Sequence, residues 1–172
     1  MSKARIAPPE GGISVFDHNP DLWSSFNRFY GYLWSYGALD QPTKEAARLR
    51  NARVTGCQIC RNLRFAGARE QGLTEEYVEQ ITDGYEKSDL PDRWKDAVRW
   101  TDSVLGYPAS VTAEARAEIA ADFTPAEFVE LTLTAAVSQG FSKAVVAWGG
   151  ASDMPTMIVP TPTPDSVVTD GS

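Results

Sequence analysis

The chain has 172 residues, 42% of them hydrophobic and 23% charged, which is enough for one domain with a packed core. Its formal net charge of −7 argues against a nucleic-acid or anionic-membrane partner, since both select a basic face. No apolar run approaches the roughly 20 residues that a bilayer-spanning helix needs, and MSKARIAPPEGG at the N-terminus lacks the apolar stretch of a secretory signal, so a cytoplasmic protein is expected.

Residues 1–18 read as an arm, with Pro8-Pro9, Gly11-Gly12 and only Ile13, Val15 and Phe16 to pack as a short extended piece. Asn19-Pro20-Asp21 then starts a helix, with Asn19 as the cap and proline at the first helical position. Leu22, Phe26, Phe29 and Leu33 recur at helical spacing with Trp23, Tyr30 and Trp34 beside them. Burial on two sides is expected, one against the core and the other at a subunit interface or a substrate wall.

Asp40-Gln41-Pro42 is a turn leading into a helix on which Glu45, Leu49 and Ala52 share a face. Thr55-Gly56 interrupts it. A second helix is predicted from Cys57 to about Gly72, with Cys57, Cys60 and Arg64 one turn apart on one face. Thr74-Glu75-Glu76 starts a short helix with Val78, Ile81 and Tyr85 as its apolar stripe. Ser88-Asp89-Leu90-Pro91 starts another, with Trp94, Ala97 or Val98, Thr101, Val104 and Leu105 inward and a stop near Tyr107-Pro108. Thr112 caps a short helix to about Asp122. Thr124-Pro125-Ala126-Glu127 is a capping box that opens the longest helix, running through Phe128, Leu131 and Ala135 to Trp148. Gly140 is a point where it can loosen, and Gly149-Gly150 ends it. No segment reads as a strand. The expectation is an all-α domain over 19–152 with some six to eight helices. The tail, 153–172, is rich in Pro, Thr, Ser and Asp and reads as disordered or as an arm over a neighbouring subunit.

The chain has two cysteines, spaced as Cys57-x-x-Cys60, a pattern that points to redox or metal chemistry. A structural zinc site needs four ligands, and two cysteines plus the distant His18 do not supply them. A thiol at a helix start ionises more easily, and the thiolate is the reactive form; Arg61 and Arg64 add positive charge nearby. By helix position alone Cys57, nearer the dipole, would be the nucleophile. Glu45 is either a general base folded back beside the thiols or a first-turn acid serving its own helix. Arg64 stays charged and cannot shuttle a proton, but it can stabilise a thiolate, keep Glu45 ionised or bind an anionic group. Its plain alternative is a solvated helix arginine. His18 could act only through the arm reaching the site.

Glu45, Cys57 twelve positions later and Cys60 resemble the core motif of the alkylhydroperoxidase D family, within the carboxymuconolactone decarboxylase superfamily. That motif is Glu, eleven residues, Cys-x-x-Cys, three residues, His. The flanks Arg53-Val54-Thr55-Gly56-Cys57, Ala66-Gly67-Ala68 and Gly72-Leu73-Thr74 also look like the family, and the likeness extends loosely over 19–150. One position departs: Arg64 stands where the family has His. The resemblance implies an alkylhydroperoxidase D-like helical fold and a thiol-dependent peroxidase. Cys60 would be the peroxidatic residue, Cys57 the resolving one, Glu45 the base and Arg64 a supporting charge. It further implies no bound metal, haem or flavin, a hydroperoxide substrate, an external dithiol reductant (a lipoyl-bearing adaptor or a thioredoxin-like protein) and a homo-oligomer, trimeric or a multiple such as a hexamer. Two alternatives stand beside it. One is a carboxymuconolactone decarboxylase-type enzyme on a small lactone acid, whose carboxylate Arg64 would suit. The other is a non-enzymatic redox-sensing oligomer.

Overall fold

Local capping chemistry sets most helix starts. In a computed structural model that describes residues 5–149 and 154–166, Asn19 caps α1 (Pro20–Ser35) through its side chain to the Leu22 N–H. Asp40 caps α2 (Gln41–Thr55) at the Thr43 N–H, and Gly56, left-handed at φ 70°, ends it. Then come α3 (Gln58–Asn62), strand β1 (Leu63–Phe65), α4 (Ala66–Glu70), α5 (Glu75–Gln80), α6 (Asp92–Leu105), α7 (Ala113–Ala120), α8 (Pro125–Trp148) and strand β2 (Met157–Val159). Thr74 and Thr112 cap α5 and α7, and Thr124 with Glu127 forms the expected capping box on α8. The fold is predominantly all-α, with eight α-helices among the described residues.

The centre of the domain is α2, packed against α6 on one side and α8 on another. Every residue from Pro42 to Ala52 is buried, although the helix carries Lys44, Glu45, Arg48, Arg50 and Asn51. Such charges stay inside only when paired. Lys44 meets Glu130 of α8 and donates to the carbonyls of Leu33 and Trp34. Arg50 binds Asp102 of α6 at 2.6 Å, and Arg48 binds Glu45. The Glu130 carboxylate also accepts from the Ala38 and Leu39 N–H groups, and Gly37 makes room for it: a Cβ there would overlap the carboxylate. Apolar clusters fill the space around α2. Leu49, Leu73, Val78, Ile81 and Val98 form one, and Ala47, Trp100, Ile119 and Leu131 another.

Four expectations are corrected. The helix from Cys57 to Gly72 is really three pieces, α3, β1 and α4, because Leu63–Phe65 extends to pair in parallel with Met157–Val159. The reading that no segment forms a strand fails at the same place, since a three-residue strand has no periodicity to show and its partner lies far along the chain. α5 stops at Gln80, and Tyr85 is buried from a separate 3₁₀ turn at Tyr85–Lys87. Gly140 leaves α8 unbroken over all 24 residues.

The segment read as a tail runs, over 154–166, along its own domain. The Met154 carbonyl accepts from Asn62, Thr161 Oγ1 from the Gly67 N–H and the Pro162 carbonyl from Ser35. Gly31 of α1 lets this segment pass, for a Cβ there would strike the Thr163–Pro164 backbone. The arm over 5–18 folds back as well: Phe16 stacks on Trp23 at 3.7 Å and meets Trp148 edge-on. Gly150 and the ends of the arm and tail, residues 1–4 and 167–172, lie outside the described residues.

Candidate active site

Where α2 ends and the chain turns back, Cys57 caps α3, its sulfur accepting from the Cys60 N–H at 3.3 Å. The turn brings the two cysteines together at disulfide distance, with Cα atoms 5.3 Å apart. Both are buried, at 1% and 7% exposure, but they differ in what they face. Cys60 lines a cleft of about 1160 Å³, and Cys57 is not among its lining residues.

That cleft explains the aromatic side of α1. Trp23, Phe26 and Tyr30 of α1 line it together with Phe141 of α8, which stacks on Phe26 at 5.1 Å. Phe65 of β1 lies deeper and packs edge-on to Trp34 at 4.5 Å. Pro9–Ile13 of the arm and Val159, Pro160 and Pro162 of the returning segment also line the cleft. The other side of α1 leaves Leu22, Phe29, Tyr32 and Tyr36 exposed.

The polar groups are few. Arg48 Nε and Nη2 donate to the two Glu45 carboxylate oxygens at 2.7 and 2.6 Å, and Nη1 reaches the Cys60 carbonyl at 2.6 Å. Nη2 also donates to the Leu63 carbonyl, and the guanidinium lies 4.7 Å from the Phe65 ring centroid. Burial opposes the Arg48 charge, but attraction and hydrogen bonds from Glu45, with a smaller contribution from Tyr30, more than offset it and hold its pKa above the ordinary value. The Phe65 N–H completes the Glu45 shell at 3.1 Å. Burial pushes the Tyr30 phenol up to about 12 against the lowering effect of Arg48, so it stays neutral and able to donate. From α8, Ser142 Oγ donates to Cys60 Sγ at 3.3 Å and accepts from Asn51 Nδ2 at 2.8 Å. Ser138, one turn earlier, lines the same cleft, and its hydroxyl has no partner among the described residues.

Of the residues singled out in the sequence, Cys57 and Cys60 meet directly, and Glu45 joins them through Arg48. Arg64 does not share their face. It sits on β1, and its guanidinium is held by Glu75 at 3.0 Å and by the carbonyls of Arg61 and Leu63. The helix that was to align it with the cysteines ends at Asn62. His18 is exposed, with Nε2 on the Ala7 carbonyl. Sequence reasoning missed Arg48, although Glu45 and Arg48 at i,i+3 was a readable signal. It also missed Asn51, Ser138 and Ser142, whose meeting with Cys60 depends on how α8 packs on α2. Among the described residues no cluster of three or more His, Cys, Asp and Glu is placed to hold a metal ion, and no helix is long and apolar enough to cross a membrane.

The chain and its fold are similar to known proteins. Residues 20–84 match the model of the Carboxymuconolactone decarboxylase family. Three solved structures share the fold. One is a protein of unknown function from Agrobacterium tumefaciens, for which an antioxidant-defence role as AhpD has been suggested (TM-score 0.71, 17% identity, 88% of this chain and 99% of that one). Another is the alkylhydroperoxidase AhpD core of an uncharacterized peroxidase-related protein from Ralstonia eutropha (TM-score 0.70, 17% identity, 80% and 74%). The third is an uncharacterized peroxidase-related protein from a Silicibacter species (TM-score 0.69, 12% identity, 80% and 73%). Over residues 20–84 the chain is thus similar to the Carboxymuconolactone decarboxylase family, and its fold is the one these structures share. In sequence it is 36% identical over 124 residues to an uncharacterized protein found in two strains of Mycobacterium tuberculosis, the match covering 71% of this chain and 43% of that protein.

Proposed function

We propose that the protein is a thiol-dependent peroxidase that cycles Cys57 and Cys60 between dithiol and disulfide. The observation that carries this reading is the asymmetry of the pair: the sulfurs are within bonding reach, yet only Cys60 opens onto the cleft. The Cys60 thiolate attacks the distal oxygen of a hydroperoxide. The O–O bond breaks, the alkoxide leaves as the alcohol with a proton, and Cys60 becomes a sulfenic acid. The Cys57 thiolate then attacks the Cys60 sulfur, expelling hydroxide that leaves as water, and the disulfide closes. Two electrons from an external dithiol, a lipoyl group or a thioredoxin-like protein, restore the pair by exchange. Glu45 serves as the base or keeps Arg48 in place, and Arg48 keeps a fixed positive charge beside the Cys60 backbone. The active form is a homo-oligomer with no bound cofactor. The apolar cleft walls suit an organic hydroperoxide, and the Ser138 hydroxyl is placed to meet its oxygen.

The alternative, a decarboxylase for a small lactone acid, wants a cation free to hold a carboxylate. Arg64 is committed to Glu75 and Arg48 to Glu45, which favours the dithiol reading. The test is consumption of cumene hydroperoxide and hydrogen peroxide by the purified protein with dihydrolipoamide or thioredoxin, alongside mass spectrometry. A loss of about two hydrogens within the one peptide holding both cysteines is expected. Two thiols still free after peroxide, or a disulfide without turnover on any dithiol, would remove the peroxidase reading.

A further inference from the structure

The Ser142 hydroxyl has two neighbours, Asn51 Nδ2 and Cys60 Sγ, and with the Asn51 amide in this orientation their chemistry sets which way its proton points. Asn51 Nδ2 is a donor only, so at 2.8 Å it occupies a lone pair on Ser142 Oγ. The Ser142 proton is therefore left for Cys60 Sγ at 3.3 Å. All three groups are buried, with Asn51 and Ser142 the most deeply so, and the contact lies at the edge of the cleft that Cys60 and Ser142 both line. Asn51 comes from the central helix α2 and Ser142 from α8, and the packing of these two helices builds the arrangement.

We infer that Ser142, oriented by Asn51, is a catalytic residue: it donates a hydrogen bond to the Cys60 thiolate and so sets the ionisation of the attacking sulfur. A hydrogen bond to the charged form favours that form, and in a buried site it is of the stronger, charge-assisted kind. Among the described residues, the other polar or charged groups around Cys60 make no hydrogen bond to its sulfur, the unpartnered Ser138 hydroxyl included. From α2, Arg48 touches the Cys60 carbonyl and its charge is matched by Glu45. From α1, Tyr30 is neutral. On α3 itself Arg61 is exposed, and on the arm Asp17 lines the cleft. Among the described contacts Ser142 is the one side chain that donates to the sulfur. Nothing in the family motif of Glu45 and the two cysteines indicates it, because it lies 82 residues beyond Cys60 in the chain.

The inference extends the thiol chemistry proposed above, and its test separates the two. In a Cys57→Ala background, so that one thiol titrates, the pH dependence of iodoacetamide alkylation is measured for the parent, Ser142→Ala and Ser142→Thr. Loss of the donor should raise the thiol pKa by about one unit and slow alkylation near neutral pH roughly five- to tenfold, while the limiting rate at high pH stays unchanged. Ser142→Thr keeps the hydroxyl and should return the profile towards the parent. With both cysteines present, Ser142→Ala should also shift the glutathione equilibrium towards the disulfide, because the reduced form has lost the stabilised thiolate. Superimposed profiles for Ser142→Ala and the parent overturn the inference, and so does an equal slowing at every pH, which would mean altered access alone. A shifted pKa in a protein that consumes no peroxide upholds the role of Ser142 and removes the peroxidase reading.

Discussion

Replacing Glu45 with Gln changes one atom type and puts a buried charge out of balance. Glu45 and Arg48 are both almost sealed from water, at 1% and 4% side-chain exposure, and are joined by two hydrogen bonds of 2.6–2.7 Å. Gln keeps the shape and one acceptor but leaves the guanidinium uncompensated. Breaking a buried pair in this way costs about 3 kcal/mol or more. For a domain of this size that is a fall of about 6–12 °C in melting temperature. Arg48→Met should cost a similar amount, since it frees Glu45 and also removes the guanidinium donor from the Cys60 carbonyl. The double variant should cost less than the sum, with a coupling energy of about 2–3 kcal/mol. Urea unfolding of the reduced protein, followed by tryptophan fluorescence, measures all three. A coupling below about 0.5 kcal/mol would refute the view that this pair is buried in mutual dependence. Activity assayed well below the melting midpoint then isolates the chemical role: a lost general base costs on the order of a hundredfold in rate. Turnover within a few-fold of the parent would mean that Glu45 acts only by holding Arg48.

Three further outcomes are expected. Gly31→Ala should lever the 154–166 segment off α1, seen as faster amide exchange at Met157–Val159 with α2 still protected, and unchanged exchange there would contradict the close packing described. Gly37→Ala should push the Glu130 carboxylate off Lys44 and the Ala38 and Leu39 N–H groups, costing about 3 kcal/mol in a chemical melt. Burial, together with repulsion from and a hydrogen bond to Asp122, raises Asp96 from 3.8 to about 6. The folded protein then holds that proton where the unfolded chain has lost it, so this group's contribution to stability declines as pH rises from about 4 to 6. Asp96→Asn should flatten that decline and stabilise the protein at pH 7, and an unchanged pH–stability curve would show that neither burial nor Asp122 raises the Asp96 carboxyl.

The sequence by itself determined the elements whose causes are local. Caps at Asn19, Thr74, Thr112 and Thr124 and the stop at Gly56 depend on a few adjacent residues, so α1, α5, α7, α8 and the end of α2 were legible. The dithiol was legible too, because both cysteines lie within one turn of chain and the spacing alone puts them within reach. Tertiary structure decided what depends on distant partners. Residues 57–72 have helical spacing, but Leu63–Phe65 extends because Met157–Val159 offers it a ladder of backbone hydrogen bonds, and that turned Arg64 from the thiols towards Glu75. α2 is rich in charged residues, yet it is the centre of the core, because Glu130 and Asp102 arrive from α8 and α6 to pair its charges, beside its own Glu45–Arg48 pair. Periodicity reports where apolar side chains recur and is silent on buried charges that find partners 50 or more residues away. For the same reason Ser142 stayed out of sight: a serine one face in from the surface of a long helix is ordinary until α2 packs beside it and places Cys60 within 3.3 Å of its hydroxyl.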